Sequence, residues 1–190
     1  MILDLITRNR SYRRFHEDKP VSTEVLQQLV NLARLCASAR NGQSLKYFLS
    51  NDPKTNNEIF TTLAWAAYLK DWNGPEAGER PSAYIVILND TTITSNYYCD
   101  HGIATQSILL GAVEKGLGGC IIASVNREEL RVNLSIPKHF EIVHVIALGE
   151  PGETVVIEPL PATGDYKYWR DDKQVHHVPK RSLEDIIVKF

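Results

Sequence analysis

Residues 8–15, RNRSYRRF, place four arginines and a serine within eight positions of a chain whose formal net charge is −2. If the segment is extended after Asn9, side chains two apart share a side, so Ser11 and Arg13 point together. A hydroxyl beside a guanidinium suits a phosphate or the polar edge of a planar group, because arginine offers a rigid fork of donors and serine fills a remaining acceptor. Each such charge-assisted bond contributes about 1.5–3 kcal/mol. The same arginines would also complement the dipole of a helix ending at Asn9 while staying solvated. The residues alone leave both readings open.

Three further stretches carry chemistry of the same kind. In SARNGQSLKYF, 38–48, Asn41-Gly42 reads as a turn displaying a carboxamide and backbone donors, or as a helix C-cap leading into a strand. GLGGC, 116–120, would let a flat ligand approach backbone amides where side chains are missing. It does not open a helix as GxGxxG, so a Rossmann dinucleotide site is not indicated. HHVPKR, 176–181, suggests metal at first sight, but adjacent histidines in an extended segment point to opposite sides and no Cys, Asp or Glu joins them at ligand spacing. No metal is expected. Lys180 and Arg181 read either as the far end of an anion clamp or as surface charge. Tyr166, Tyr168 and Trp169 lie in a polar tail as candidate interface anchors, and core packing explains Trp65 more simply than a ligand does. No GxSxG, HExxH or Walker loop is present.

The elements that must position these residues follow from periodicity. Ile2, Leu5 and Ile6 predict a first helix ending near Asn9. Ser22 is the expected N-cap of a helix with its apolar stripe at Leu26, Leu29, Val30, Ala33, Cys36 and Ala37. KYFLSND predicts a strand and NNEIFTTLAWAAYL an amphipathic helix. Residues 70–82, with two glycines, two prolines and five charges, predict a surface loop or lid. AYIVIL reads as a strand buried on both faces. DHGIATQSILLGAVEKGLGG predicts a long helix with Ile103, Leu109, Leu110 and Val113 inward, followed by a strand at CIIAS, a short helix at REELRVNL and a strand at EIVHVIALG. The tail beyond is polar, interrupted by Pro151, Pro159, Pro161 and Pro179, and helical only at SLEDIIV. It is expected to wrap the domain or a second subunit.

Composition narrows the function classes. The chain has 190 residues, 43% hydrophobic and 23% charged, enough for a core without disulfide or metal staples. A sequence pI near 6.3 argues against general affinity for nucleic acid or anionic membrane, so any anion site is local. MILDLITRN does not read as a signal peptide, and no apolar run reaches membrane-spanning length. Cys36, Cys99 and Cys120 are isolated and odd in number, as expected of free thiols in a reducing cytoplasm.

Taken in order, NRSYRRF, SARNGQ, DHGIATQSILLGAVEKGLGGC and KRSLEDII resemble the nitroreductase family of flavin mononucleotide (FMN)-dependent oxidoreductases over nearly the whole chain. The resemblance implies one α+β FMN-binding domain over 1–190, of three layers, its mainly antiparallel sheet flanked by helices. It implies a cytoplasmic homodimer in which the 150–190 tail wraps the partner subunit and FMN lies at the interface. Arg10 and Ser11 would hold the phosphate, with Lys180 and Arg181 helping. Arg13 would lie at the pyrimidine edge, Ser38, Asn41 and Gln43 would serve the partner's FMN, and Gly118 and Gly119 would present backbone donors to the ring. NADH or NADPH would donate hydride, and a nitroaromatic, quinone or other small acceptor would take it in ping-pong fashion. Asn9, where many members carry arginine, and Ser44-Leu45, in place of a frequent Pro-Trp, depart from the pattern. Alternatives are an FMN storage or sensor protein, or the same fold breaking down flavin or removing halide.

Overall fold

In the computed structural model, which describes residues 1–190, Ser22 starts the first well-buried helix. Its hydroxyl accepts the Val25 amide, and the helix runs over Thr23–Arg34 with Leu26, Leu29 and Ala33 buried. That is α2. α1 spans Ile2–Arg8 and buries none of its residues. β1 follows at Leu45–Ser50, α3 at Pro53–Phe60, β2 at Ala83–Asp90, α4 at Asp100–Glu114, β3 at Gly118–Ile122, α5 at Arg127–Asn133 and β4 at Phe140–Gly149.

These four strands form one antiparallel sheet in the order β1-β2-β4-β3. The two central strands are buried on both faces, and alternation sorts their side chains. Ile85, Ile87, Ile146 and Leu148 pack under α2 and α4 with Leu29, Ile108 and Ala112. Tyr84, Val86, Val145 and Ala147 face Ile59 of α3 and Leu130 of α5. The result is the expected three-layer, helix–sheet–helix α+β arrangement. No helix is long and apolar enough to cross a membrane.

Three expectations need correction. The helix expected over NNEIFTTLAWAAYL begins earlier, where Asp52 caps the Thr55 amide, and ends at Phe60. Beyond it Leu63 forms a bridge with Val125 instead, so contact with a neighbouring segment replaces helical continuation. Ile103 is exposed, whereas Leu109 and Val113 are buried, because the inward face of α4 runs through Ala104, Thr105, Ile108 and Ala112. The tail is richer in structure than its prolines suggest. β5 (Val155–Pro159), β6 (Trp169–Arg170) and β7 (His176–Lys180) make a second sheet, ordered β5-β7-β6, before α6 at Leu183–Ile186. Pro179 is tolerated beside Glu158 of β5, and this sheet docks on the chain's own residues 13 and 14.

Candidate functional site

Residues 9–15 leave α1 in extended form and run beside β3. Ser11 bridges Gly119 in parallel, and the Tyr12 amide donates to the Gly119 carbonyl. Phe15, 1% exposed, anchors the far end in the core. Between these fixed points the segment brings Arg13 against His176 of β7, while Arg10 donates back to the Ile6 carbonyl of α1. Arg10, Ser11, Arg13 and Gly119 line a cavity of about 310 Å³ together with Tyr168, His176 and Lys180 from the tail. Half of the expected cofactor residues thus meet in one place.

The electrostatics of this cavity are one-sided. Arg10, Arg13 and Lys180 are its charged groups, no carboxylate lines it, and none of the three has an acidic partner in an ion pair. Arg13 is held without neutralisation. Its Nη1 donates to the Ser11 carbonyl at 3.2 Å and lies 3.2 Å from His176 Nε2, while the guanidinium sits 4.6 Å from the Tyr168 ring centroid. His176 is fully buried, and burial, with Arg13 and Arg170 nearby, pushes its pKa down to about 4. A neutral imidazole can accept from Arg13 at Nε2. Its buried Nδ1, like buried Arg10 Nε, has no hydrogen-bond partner in the chain.

A buried carboxylate fixes the backbone behind the cavity. Glu153 Oε1 accepts the amides of Arg13 and Arg14, and Oε2 meets Arg170 Nη2 at 2.9 Å. The Arg170 guanidinium in turn lies 4.2 Å from the Trp72 ring, inside the 70–82 loop. Tyr68, just before that loop, packs on Tyr166 and Tyr168. Loop, tail and arginine segment therefore share contacts.

The remaining expected site residues are placed differently. Ser38 and Gln43 line a second cavity of about 230 Å³, with Asp100 and Tyr47. Ser38 Oγ donates to Asp100 Oδ2 at 2.6 Å and accepts the Gln43 amide, while the Ala39 amide donates to Asp100 Oδ1. The serine's one donor is consumed within the chain. Asn41 is exposed, lines neither cavity, and accepts the Gln43 side chain on its carbonyl. The turn itself is left-handed at Arg40, Asn41 and Gln43, whereas Gly42 has an ordinary φ of −67°. Burial raises the Tyr47 pKa to about 12, so its hydroxyl remains a donor. Arg181 lies outside the arginine cavity and borders a surface groove with Lys180.

Gly118 and Gly119 leave no room for a side chain, although Gly119 also borders the arginine cavity. A Cβ on Gly118 would sit 2.4 Å from Tyr12 Cδ2 and 2.8 Å from Pro151 Cγ. On Gly119 it would meet Leu109 Cδ2 at 2.6 Å and the Ala147 carbonyl oxygen at 2.8 Å. The missing side chains let the chain approach itself. His176 and His177 do point apart: His177 pairs with Glu158 and Asp171 on the surface, away from the cavity.

Sequence reasoning missed Glu153 and Asp100, and treated His176 only as a possible metal ligand. Glu153 in GEPGETV matches no motif, and Asp100 looks like an ordinary acidic residue in a helix's first turn.

The donor set suits an anionic ligand with a polar planar portion: three cations, a hydroxyl and a buried imidazole line the cavity together with apolar Leu109 and Ile121. Comparison with known proteins bears on which. Residues 6–150 match the nitroreductase family. A protein of Archaeoglobus fulgidus named NADH dehydrogenase/NAD(P)H nitroreductase is 29% identical over 157 residues, covering 78% of this chain and 84% of that protein. The NADPH-flavin oxidoreductase of Vibrio harveyi is 24% identical over 178 residues, covering 84% and 70%. The crystal structure of an NADH dehydrogenase/NAD(P)H nitroreductase from Parabacteroides distasonis superposes with a TM-score of 0.66 at 27% identity, covering 80% of this chain and 88% of that one.

Proposed function

This chain belongs to the nitroreductase family, and from that premise we propose that it is an FMN-dependent oxidoreductase that takes hydride from NADH or NADPH and passes reducing equivalents to a nitroaromatic, quinone or other small acceptor in ping-pong order. The observation that carries the reading is the carboxylate-free cavity ringed by Arg10, Arg13 and Lys180. Its relatives' names, NAD(P)H nitroreductase and NADPH-flavin oxidoreductase, support the same chemistry.

Bound FMN would supply hydride acceptance from the nicotinamide and delivery to the acceptor, so no protein nucleophile or metal is needed. The chain's residues bind and tune. Arg10, Ser11 and Lys180 would hold the phosphate, whose nearly two negative charges match a local cationic cradle in a protein of net charge −2. Arg13 would serve the polar edge of the ring, where a cation favours the negative charge of the reduced form. His176, neutral at working pH, keeps the guanidinium oriented without competing for that charge. Tyr168 closes one wall and excludes water from it.

The working unit in this reading is a cytoplasmic homodimer with the Ser38–Gln43 turn of one protomer completing the site of the other. Exposed apolar side chains at both chain ends support it: Ile2, Leu3 and Ile6 on α1, and Ile186, Ile187, Val188 and Phe190 at the C-terminus. Anaerobic titration of the FMN-loaded protein with NADH and with NADPH tests the reaction. Bleaching of the flavin band is expected, and a band that persists with both donors overturns the oxidoreductase reading. In Arg13→Gln loaded with FMN, the flavin potential should fall; an unchanged potential removes the tuning role of Arg13. Sedimentation should give a dimer.

A further inference from the structure

We propose that Glu153 is the positioning residue of the cationic cavity, a single buried carboxylate that couples docking of the C-terminal tail to FMN binding; this rests on the flavin reading of the cavity. Besides residues of α4 and β3, the lining of the cavity comes from opposite ends of the chain. Arg10, Ser11 and Arg13 come from the segment after α1, and His176 and Lys180 come from β7. Glu153, whose side chain is 2% exposed, touches both sides of that division. One oxygen receives the Arg13 and Arg14 amides, which sets where the Arg13 side chain leaves the backbone. The other holds Arg170 of β6, the strand paired with β7 through Trp169–His177 and Arg170–His176.

No hydrogen bond or ion pair joins Glu153 to Lys180 or to Arg10. Its influence on them must pass through the backbone and the tail sheet. A buried ion pair adds little net stability, because desolvation of both charges offsets their attraction. What it does supply here is register between two segments that share no sheet and otherwise meet through the side chains of Arg13 with His176 and Arg14 with Gln174. A ligand that needs Arg13 and Lys180 together therefore favours the clipped state, and the clipped state binds it better, by reciprocal linkage.

The test measures FMN affinity by fluorescence quenching with the full chain, and hydrogen exchange of residues 10–15 and 169–180. Glu153→Gln should weaken FMN binding about tenfold, a change of roughly 1.4 kcal/mol, and speed exchange in both segments. The readout specific to positioning is a double-mutant cycle. Lys180→Gln should weaken binding about fivefold in the native background and hardly at all beside Glu153→Gln, because a released tail no longer presents Lys180. Additive effects, or native affinity in Glu153→Gln, overturn the proposal. Should Glu153→Gln fail to fold, Arg170→Gln, which leaves the carboxylate on its two amides, must show the same loss of coupling. Should the native chain bind no FMN, the flavin reading fails, and with it the binding half of the proposal. The clip is then judged by exchange alone: faster exchange of both segments in Glu153→Gln sustains it, and unchanged exchange rejects it.

Discussion

The arginine cavity and the Ser38–Gln43 turn are each pinned by a buried carboxylate from a distant element, yet they differ in what is left free. Glu153 takes only the backbone amides of Arg13 and Arg14 and the guanidinium of Arg170, so the Arg13 side chain stays available to the cavity. Asp100 takes the Ser38 hydroxyl itself together with the Ala39 amide, so that side chain is spent on the turn. The first arrangement displays charge. The second holds a shape, with left-handed residues at 40, 41 and 43 that are costly without such an anchor. A site that binds through side chains and one that binds through a rigid backbone contour need different supports, and this chain contains both.

The comparison is broken most severely at its anchors. Asp100→Ala strands the Ser38 and Ala39 donors and should lower the unfolding free energy by about 2–3 kcal/mol in urea titration. A loss well under that would mean the turn is held by other contacts. Gly119→Ala forces Leu109 or the β4 backbone to move and should cost about 1–3 kcal/mol. If it instead left stability intact while abolishing FMN binding, the glycine would be serving ligand approach after all.

Acid sharpens the difference between the two regions. His176 and His144 have pKa values near 4 in the folded chain, His144 through burial and then the nearby His101 and Arg127. Both are lowered from about 6.5. The unfolded chain therefore binds more protons between those values, and stability is full above about pH 6.5 and declines as pH falls toward 4. His176→Gln should flatten this slope in equilibrium unfolding at pH 7, 6, 5 and 4, whereas changes in the 38–43 turn should leave it as it was. The smallest effect is expected at Arg40, exposed with a φ of 53°. Arg40→Gly should stabilise by about 0.5–1 kcal/mol, unless its loose contact with the Tyr98 ring matters more than the backbone strain.

Much of the fold was legible. Ser22 capped α2 as its hydroxyl predicts, and the unbroken run in β2 lay buried on both faces. Where reading failed, a distant contact overrode a local preference. Leu63 left its helical pattern for a bridge to Val125, and the proline-bearing tail found sheet partners in itself. In the candidate site, Arg10, Ser11, Arg13, Gly119 and Lys180 were brought together, but their organiser was invisible. Glu153 has no motif because its task depends on lying opposite residues 13 and 14, a relation written in the fold and not in spacing.

By itself the sequence determined which segments are helices and strands over most of the chain, that any anion site must be local, and which residue types could form it. Periodicity and composition are local quantities, and those features depend only on them. The tertiary structure alone decided that Arg13 and Arg14 reach the tail, that Gly118 and Gly119 accommodate Tyr12 and Leu109, and that the Ser38 hydroxyl belongs to Asp100. Arg13 and His176 are 163 positions apart and 3.2 Å away in space. No periodicity spans that distance, because periodicity reports only neighbours along the chain and this contact joins the segment after α1 to a separate sheet in the tail.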